Sequence, residues 1–178
     1  HLIIPVDGNG YLDAENIPAN SLLTLQMVNG ETGIIQNLEE LKTKAEIVVL
    51  DATYSGSRIA LGDNWDGAIF SSQAWGGPSG ISLMAIANSE QWRYPLPHIA
   101  PIRTPGGYSL PLLLGAAVAL ENFKEDSAKI SSLDHYLRTQ ISESIPAAIV
   151  VGENSQSMPN YQTIVIPGTI SEMLVREL

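Results

Sequence analysis

Apolar residues gather in six short runs bounded by turn formers, at 21–28, 47–50, 68–70, 81–87, 147–151 and 163–166. Runs of that length between Gly, Pro, Asn, Asp and Ser read as strands. Several, such as Ile47-Val48-Val49-Leu50, do not alternate, the pattern of strands covered on both faces. Between the first two runs Asn37 stands three residues before Glu40, and Leu38, Leu41 and Ala45 share one helical face. This spacing predicts a short amphipathic helix with a capped start. Strand, helix and strand in succession over residues 20–70 predict β-α-β units. The fold class expected is therefore α/β, with a mainly parallel sheet and right-handed crossovers.

After residue 108 the pattern changes. Leu112, Leu113, Leu114, Ala116, Ala117, Ala119, Leu120 and Phe123 are apolar nearly all round a helix, which predicts burial between two layers. Residues 125–143 place Ile130, Leu133, Leu137 and Ile141 at helical spacing with polar residues elsewhere, the pattern of a surface helix. Two strands follow, and Thr169 with Glu172 reads as a capping box for a last helix. Two domains are expected: 1–108 with the sheet, and 109–178 with a linking helix and part of a smaller α+β unit. The Gly/Pro-rich stretch 95–107 is the candidate linker or functional loop. A strand-like run opens at His1 and the last helix has only one or two turns, so both ends read as cuts in a longer protein.

Composition narrows the classes of function. The 178 residues carry nineteen acids against nine bases, a formal net charge of -10, and 44% of them are hydrophobic. Such a chain folds, and it has no basic patch to track phosphates or anionic lipid, so nucleic acid and membrane surfaces are not expected partners. The apolar run Leu110–Leu120 is too short to span a bilayer and contains Pro111 and Gly115. No secretory signal opens the chain, which makes a cytoplasmic location the default expectation. The absence of cysteine excludes a thiol nucleophile, a disulfide and a thiolate metal site within these residues. His98 and His135 lack partners at ligand spacing, so no metal is expected. Gly77-Pro78-Ser79-Gly80 lacks the spacing of a serine-hydrolase elbow, and Asp63 and Asp66 flank Trp65 in an exposed-looking turn. The tryptophans read as core aromatics.

Three segments stand at predicted strand ends, where α/β sheets place ligands. They are Val28-Asn29-Gly30-Glu31-Thr32-Gly33, then Asp51-Ala52-Thr53-Tyr54-Ser55, then Ser71-Ser72-Gln73-Ala74-Trp75-Gly76-Gly77-Pro78-Ser79-Gly80. In that order they resemble the cysteine desulfurases and their class V aminotransferase relatives, NifS-like enzymes of fold-type I that use pyridoxal phosphate. Members carry an Asn-rich turn ending in Glu-x-Gly, a strand ending in Asp-Ala-x-Gln, and a Ser-x-His-Lys segment followed by Gly-Pro-x-Gly. The resemblance covers almost the whole chain. It implies a large-domain sheet followed by part of the small C-terminal domain.

The resemblance also assigns roles. Asp51 would pair with the protonated pyridine nitrogen, Ser71 would bind the phosphate, and Asn29, Tyr54 and Gln73 occupy further cofactor-contact positions. The lysine that forms the Schiff base falls at Ala74, so covalent attachment is not possible there, and noncovalent binding is doubtful. Gln73 replaces the neighbouring His, Tyr54 the Gln, and Gly30 the second Asn of the turn, which favours natural divergence over one engineered change. Arg103-Thr104-Pro105-Gly106-Gly107 falls near the family's phosphate-reaching Arg loop with its Thr displaced, and the Cys-bearing loop lies beyond Leu178. A non-catalytic homologue with a structural or regulatory role follows, as a homodimer or paired with an intact paralogue. The alternative is part of an active desulfurase whose missing groups lie outside this chain. A weaker reading is a module holding a phosphorylated ligand through Asp51, Ser71 and backbone N–H groups.

Overall fold

The computed structural model describes residues 1–90, 92–93 and 107–177. Strands β1 (Leu22–Gln26), β2 (Ile47–Asp51), β3 (Gly67–Ser71) and β4 (Ser82–Ile86) form one sheet in that order. β1, β2 and β3 run parallel, with Leu23 opposite Val48 and Leu50 opposite Ala68; β4 returns antiparallel, pairing Ser82 with Ser71. β5 (Ile149–Val150) and β6 (Ile164–Val165) make a separate antiparallel pair. Each of the six apolar runs thus falls on one of the six strands, and the α/β class with a mainly parallel sheet is the fold observed.

Helix α1 (Leu38–Lys44) crosses from β1 to β2. The Asn37 side chain accepts from the Glu40 N–H, and its amide reaches back to the Glu40 carboxylate at 3.2 Å. Acids in the first turn and Lys42 and Lys44 in the last oppose the helix dipole. Seven residues do not hold a helix in water by themselves. Leu38, Leu41 and Ala45 do so here by burying against Leu23, Val48, Leu50 and Ala68 in the core. Asp66 lies just before β3, half-buried, where its carboxylate accepts from Val48 N–H at 2.7 Å and pairs with Lys42. Burial opposes ionisation, but the Lys42 hydrogen bond and the Val48 N–H outweigh it and hold the pKa below the usual aspartate value. The sequence placed this residue in an exposed turn; it is a tie between β2, β3 and α1.

The strands are not covered on both faces as expected. Burial alternates in β1, and Leu22, Ile47, Ile69 and Met84 all lie exposed on the face away from α1. Their registers put them on one side of the sheet. The continuous apolar pattern describes side chains that would tolerate burial; α1 and the 3₁₀ turn at Ala14–Asn16 supply cover on one side alone.

Helix α2 (Leu110–Asn122) departs likewise from the expected sandwiched helix. Ala116 is its one buried residue, while Leu110, Leu114 and Val118 are more than half exposed. It meets the turn that follows β3 through its small-residue face, Gly115 against Pro78 and the Ala116 carbonyl accepting from Trp75 Nε1 at 3.0 Å. Helix α3 (Ser127–Ser144) starts on an Asp126 cap and lies at the surface, as its pattern predicts. Helix α4 (Ser171–Glu177) begins after Thr169, and Glu172 pairs with Arg176 at 2.5 Å in place of a capping box.

Between β5 and β6 the chain returns to the sheet. Ser157 bridges Ile34, Met158 N–H donates to the Gly33 carbonyl at 2.9 Å, and Thr163 Oγ1 donates to the Glu31 carbonyl at 2.6 Å. Met158 is buried in the main core. A strap of residues 155–163 is therefore laid over the turn that follows β1.

Candidate functional site

Parallel β1, β2 and β3 bring their carboxyl ends to one edge of the sheet, the usual ligand edge of an α/β fold. The three segments singled out in sequence all meet there. Asn29 follows β1, and its carboxamide oxygen accepts from the backbone N–H groups of Glu31 and Thr32 and from Thr32 Oγ1, at 3.0, 2.9 and 3.1 Å. Its Nδ2 points toward Gln26 at 3.4 Å. Asn29 thus closes its own turn.

Asp51 ends β2, in register between Gln26 and Ile69. Its Oδ1 accepts from Thr53 N–H at 3.0 Å and Thr53 Oγ1 at 2.6 Å. Oδ2 carries no hydrogen bond to a described residue. Ser71 ends β3 half-buried and makes no side-chain cap to the 3₁₀ turn Ser72–Trp75. That turn is pinned at both ends: buried Ser72 donates its hydroxyl to the Pro78 carbonyl, and buried Trp75 donates to Ala116 on α2. Gln73 is exposed between them.

Ala74 is half-buried. Its carbonyl accepts from Arg58 Nη1 at 2.6 Å, and its methyl packs so closely on Gly56 that a Cβ there would lie 2.6 Å away. Arg58 also donates through Nε to Glu125 at 2.5 Å, and its guanidinium sits 5.2 Å above the Phe123 ring. The pair is largely withdrawn from water, with the two side chains 21% and 17% exposed. One arginine therefore joins the turn that carries Ala74 to the loop after α2.

Tyr54 occupies the space beside Gly30. A Cβ at Gly30 would clash with the edge of the tyrosine ring, Cε2 and Cζ nearest and Cδ2 at 2.9 Å. The Tyr54 ring meets Tyr161 edge-on with centroids 5.8 Å apart, and Tyr161 donates its hydroxyl to the Tyr54 carbonyl at 3.2 Å. Burial raises the Tyr161 pKa above its ordinary value. Arg58, Tyr161 and Glu125 were missed in sequence. Arg58 carried a signal, being one of three bases in residues 1–90 and the one outside a helix; Tyr161 carried none.

Residues 98 and 103–106, hence His98 and the Arg103 loop, lie outside the described residues. His135 is exposed on α3. Among the described residues no group of three or more His, Cys, Asp or Glu side chains could hold a metal, and no helix is long and apolar enough to cross a membrane. A concavity of about 1030 Å³ runs beside β1 and the extended residues 2–6; it takes in Asn29 but not Asp51, Tyr54, Ser71 or Ala74.

A mainly parallel sheet with its crossover helix, and a strand-end cluster on one edge, define an α/β fold of the NifS-like, fold-type I class. The NifS-like protein from Rickettsia africae superposes with a TM-score of 0.78 at 23% identity, over 96% of this chain and 53% of that one. In sequence, the chain is similar to two cysteine desulfurases. It is 28% identical over 175 residues to the Dictyostelium discoideum protein named "Probable cysteine desulfurase, mitochondrial", covering 84% of this chain and 38% of that protein. It is 28% identical over 163 residues to "Cysteine desulfurase, mitochondrial" of Arthroderma benhamiae, covering 78% and 31%. The chain thus spans about a third of the length of these relatives. No family model matches it. The resemblance seen in the residues is supported by both comparisons: the chain is like part of a cysteine desulfurase.

The residues present do not fit the covalently held cofactor that such a resemblance implies. Position 74 offers a methyl group in place of an amine, and the Tyr54 ring fills the space beside Gly30.

Proposed function

We propose that this chain is a divergent relative of the cysteine desulfurases that performs no pyridoxal-phosphate chemistry with its own residues and serves a structural or regulatory role. The observation that carries the reading is Ala74. It sits where the resemblance calls for the Schiff-base lysine, and the surrounding backbone is fixed by Arg58 on one side and the Trp75–Ala116 hydrogen bond on the other. Of the four lysines, Lys42 is paired with Asp66 and Lys44 with Glu15, and Lys124 and Lys129 are exposed. Without an amine there is neither a covalent link nor the usual carrier for the substrate proton. The role left to the chain is association, as a homodimer or with an intact paralogue that supplies its own site.

The assay is sulfide release from cysteine by the purified chain with excess pyridoxal phosphate. The expected rate equals that of free cofactor. Release that rises in proportion to protein would overturn the reading, and its loss when the four lysines are replaced by arginine would trace the activity to one of them.

A further inference from the structure

We infer that the carboxyl-end edge of the sheet has been rebuilt as a packed joint, with Tyr54 as a plug seated on Gly30, so that the missing lysine is not the sole obstacle to a cofactor ring. The inference rests on the reading above and extends it from one position to a set that changed together. Gly30 is explained by Tyr54: with no side chain at position 30, the aromatic ring comes closer than a Cβ there would allow. Positive φ does not explain this glycine, which is absent from the left-handed residues, whereas Gly33 and Gly56 belong to them. Close approach of the ring explains it. Gly56 stands in the same relation to Ala74 and adopts φ +51 besides.

The joint extends outward from that contact. Tyr54 leans on Tyr161, which belongs to the strap of residues 155–163, and Gly33 admits the Tyr161 Cβ, which would stand 2.9 Å from a Cβ at that position. Arg58 ties the Ala74 carbonyl to Glu125, and Asn160 on the strap approaches the same carboxylate at 3.4 Å. The segments that follow β1, β2 and β3 are thereby fastened to chain beyond residue 120. Asp51 and Ser71 keep hydrogen-bonding capacity at the rim, and the Tyr54 ring, itself 40% exposed, stands over Gly30 at the mouth of the cluster.

The contact predicts a sign-specific coupling. Gly30→Ala should lower the folding equilibrium constant by roughly five- to tenfold, the low end of overpacking costs, because the Tyr54 ring is 40% exposed and can turn aside. In a Tyr54→Ala background, where the ring is gone, the same change should alter it by less than about threefold. Urea titrations of the wild type, both single variants and the double variant supply the comparison. Equal effects of Gly30→Ala in the two backgrounds would overturn the plug. If a variant proves too unstable to titrate, nuclear Overhauser contacts between the Gly30 α-protons and the Tyr54 ring in the wild-type chain decide the point, and their absence overturns it. A pyridoxal-phosphate titration of Ala74→Lys separates this inference from the functional reading. No binding is expected; an aldimine absorbance band in that variant would remove the plug while leaving the alanine as the reason the natural chain is inert.

Discussion

Arg58→Ala is expected to lower the stability of the chain by about 2–4 kcal/mol. The arginine donates to the Glu125 carboxylate at 2.5 Å and to the Ala74 carbonyl at 2.6 Å, and it stacks on Phe123. Hydrogen bonds to or from charged groups contribute about 1.5–3 kcal/mol each, and a partly exposed cation–π contact about 0.5–1 kcal/mol. Ordering an arginine side chain costs about 2 kcal/mol in return, and the contributions share one side chain, so the sum falls below their simple total. Exposed ion pairs are worth about 0–1 kcal/mol, but at 21% and 17% exposure this one is poorly screened. Arg58→Lys keeps the charge yet has no planar fork to reach both acceptors, so it should recover less than half of the loss. Urea unfolding followed by tryptophan fluorescence and far-ultraviolet dichroism measures both variants. A change within about 0.5 kcal/mol for Arg58→Ala, the ordinary range of surface substitutions, would refute the view that this residue fastens the joint.

Three further outcomes are expected. Leu50 is fully buried at the centre of β2, so Leu50→Ala should cost about 2–5 kcal/mol in the same urea assay. Trp75→Phe removes the donor to Ala116 and leaves part of the buried indole's space unfilled; a loss of about 2 kcal/mol with faster amide exchange in α2 is expected, and unchanged exchange would argue against that anchor. The depressed Asp66 pKa stabilises the fold above the unfolded value of about 3.9, and that contribution disappears as pH falls through the lower folded value. Acid titration of Asp66→Asn should therefore show a shallower loss of stability below about pH 4 than the wild type.

The sheet was legible because a strand announces itself locally. Ile47-Val48-Val49-Leu50 and Asn37 with Glu40 carry their structure in a few consecutive residues, and β2 and α1 follow within a residue or two of the expected bounds. Burial was less legible, since it depends on what lies opposite. The apolar circumference of α2 says that the helix could be enclosed on all sides, but Trp75 and Pro78 meet just its Gly115–Ala116 face. The candidate site divides in the same way. Asp51, Ser71, Asn29 and Ala74 were found from local motifs and do assemble at one edge. The residues that fill that edge, Arg58, Glu125 and Tyr161, are 67 or more positions apart from their partners or sit in loops with no periodic signal. Tyr54 shows the limit most clearly: sequence marked it as a replaced position, and only the fold shows that Gly30 makes the room for it.

The loss of the cofactor site is tested most directly by a titration of the purified chain with pyridoxal phosphate, followed by heat and near-visible absorbance together, with borohydride reduction and peptide mass mapping at the end point. The expected result is no saturable heat, no aldimine band, and any trapped adduct scattered over Lys42, Lys44, Lys124 and Lys129. Stoichiometric binding with an aldimine band, trapped at a single lysine, would contradict it.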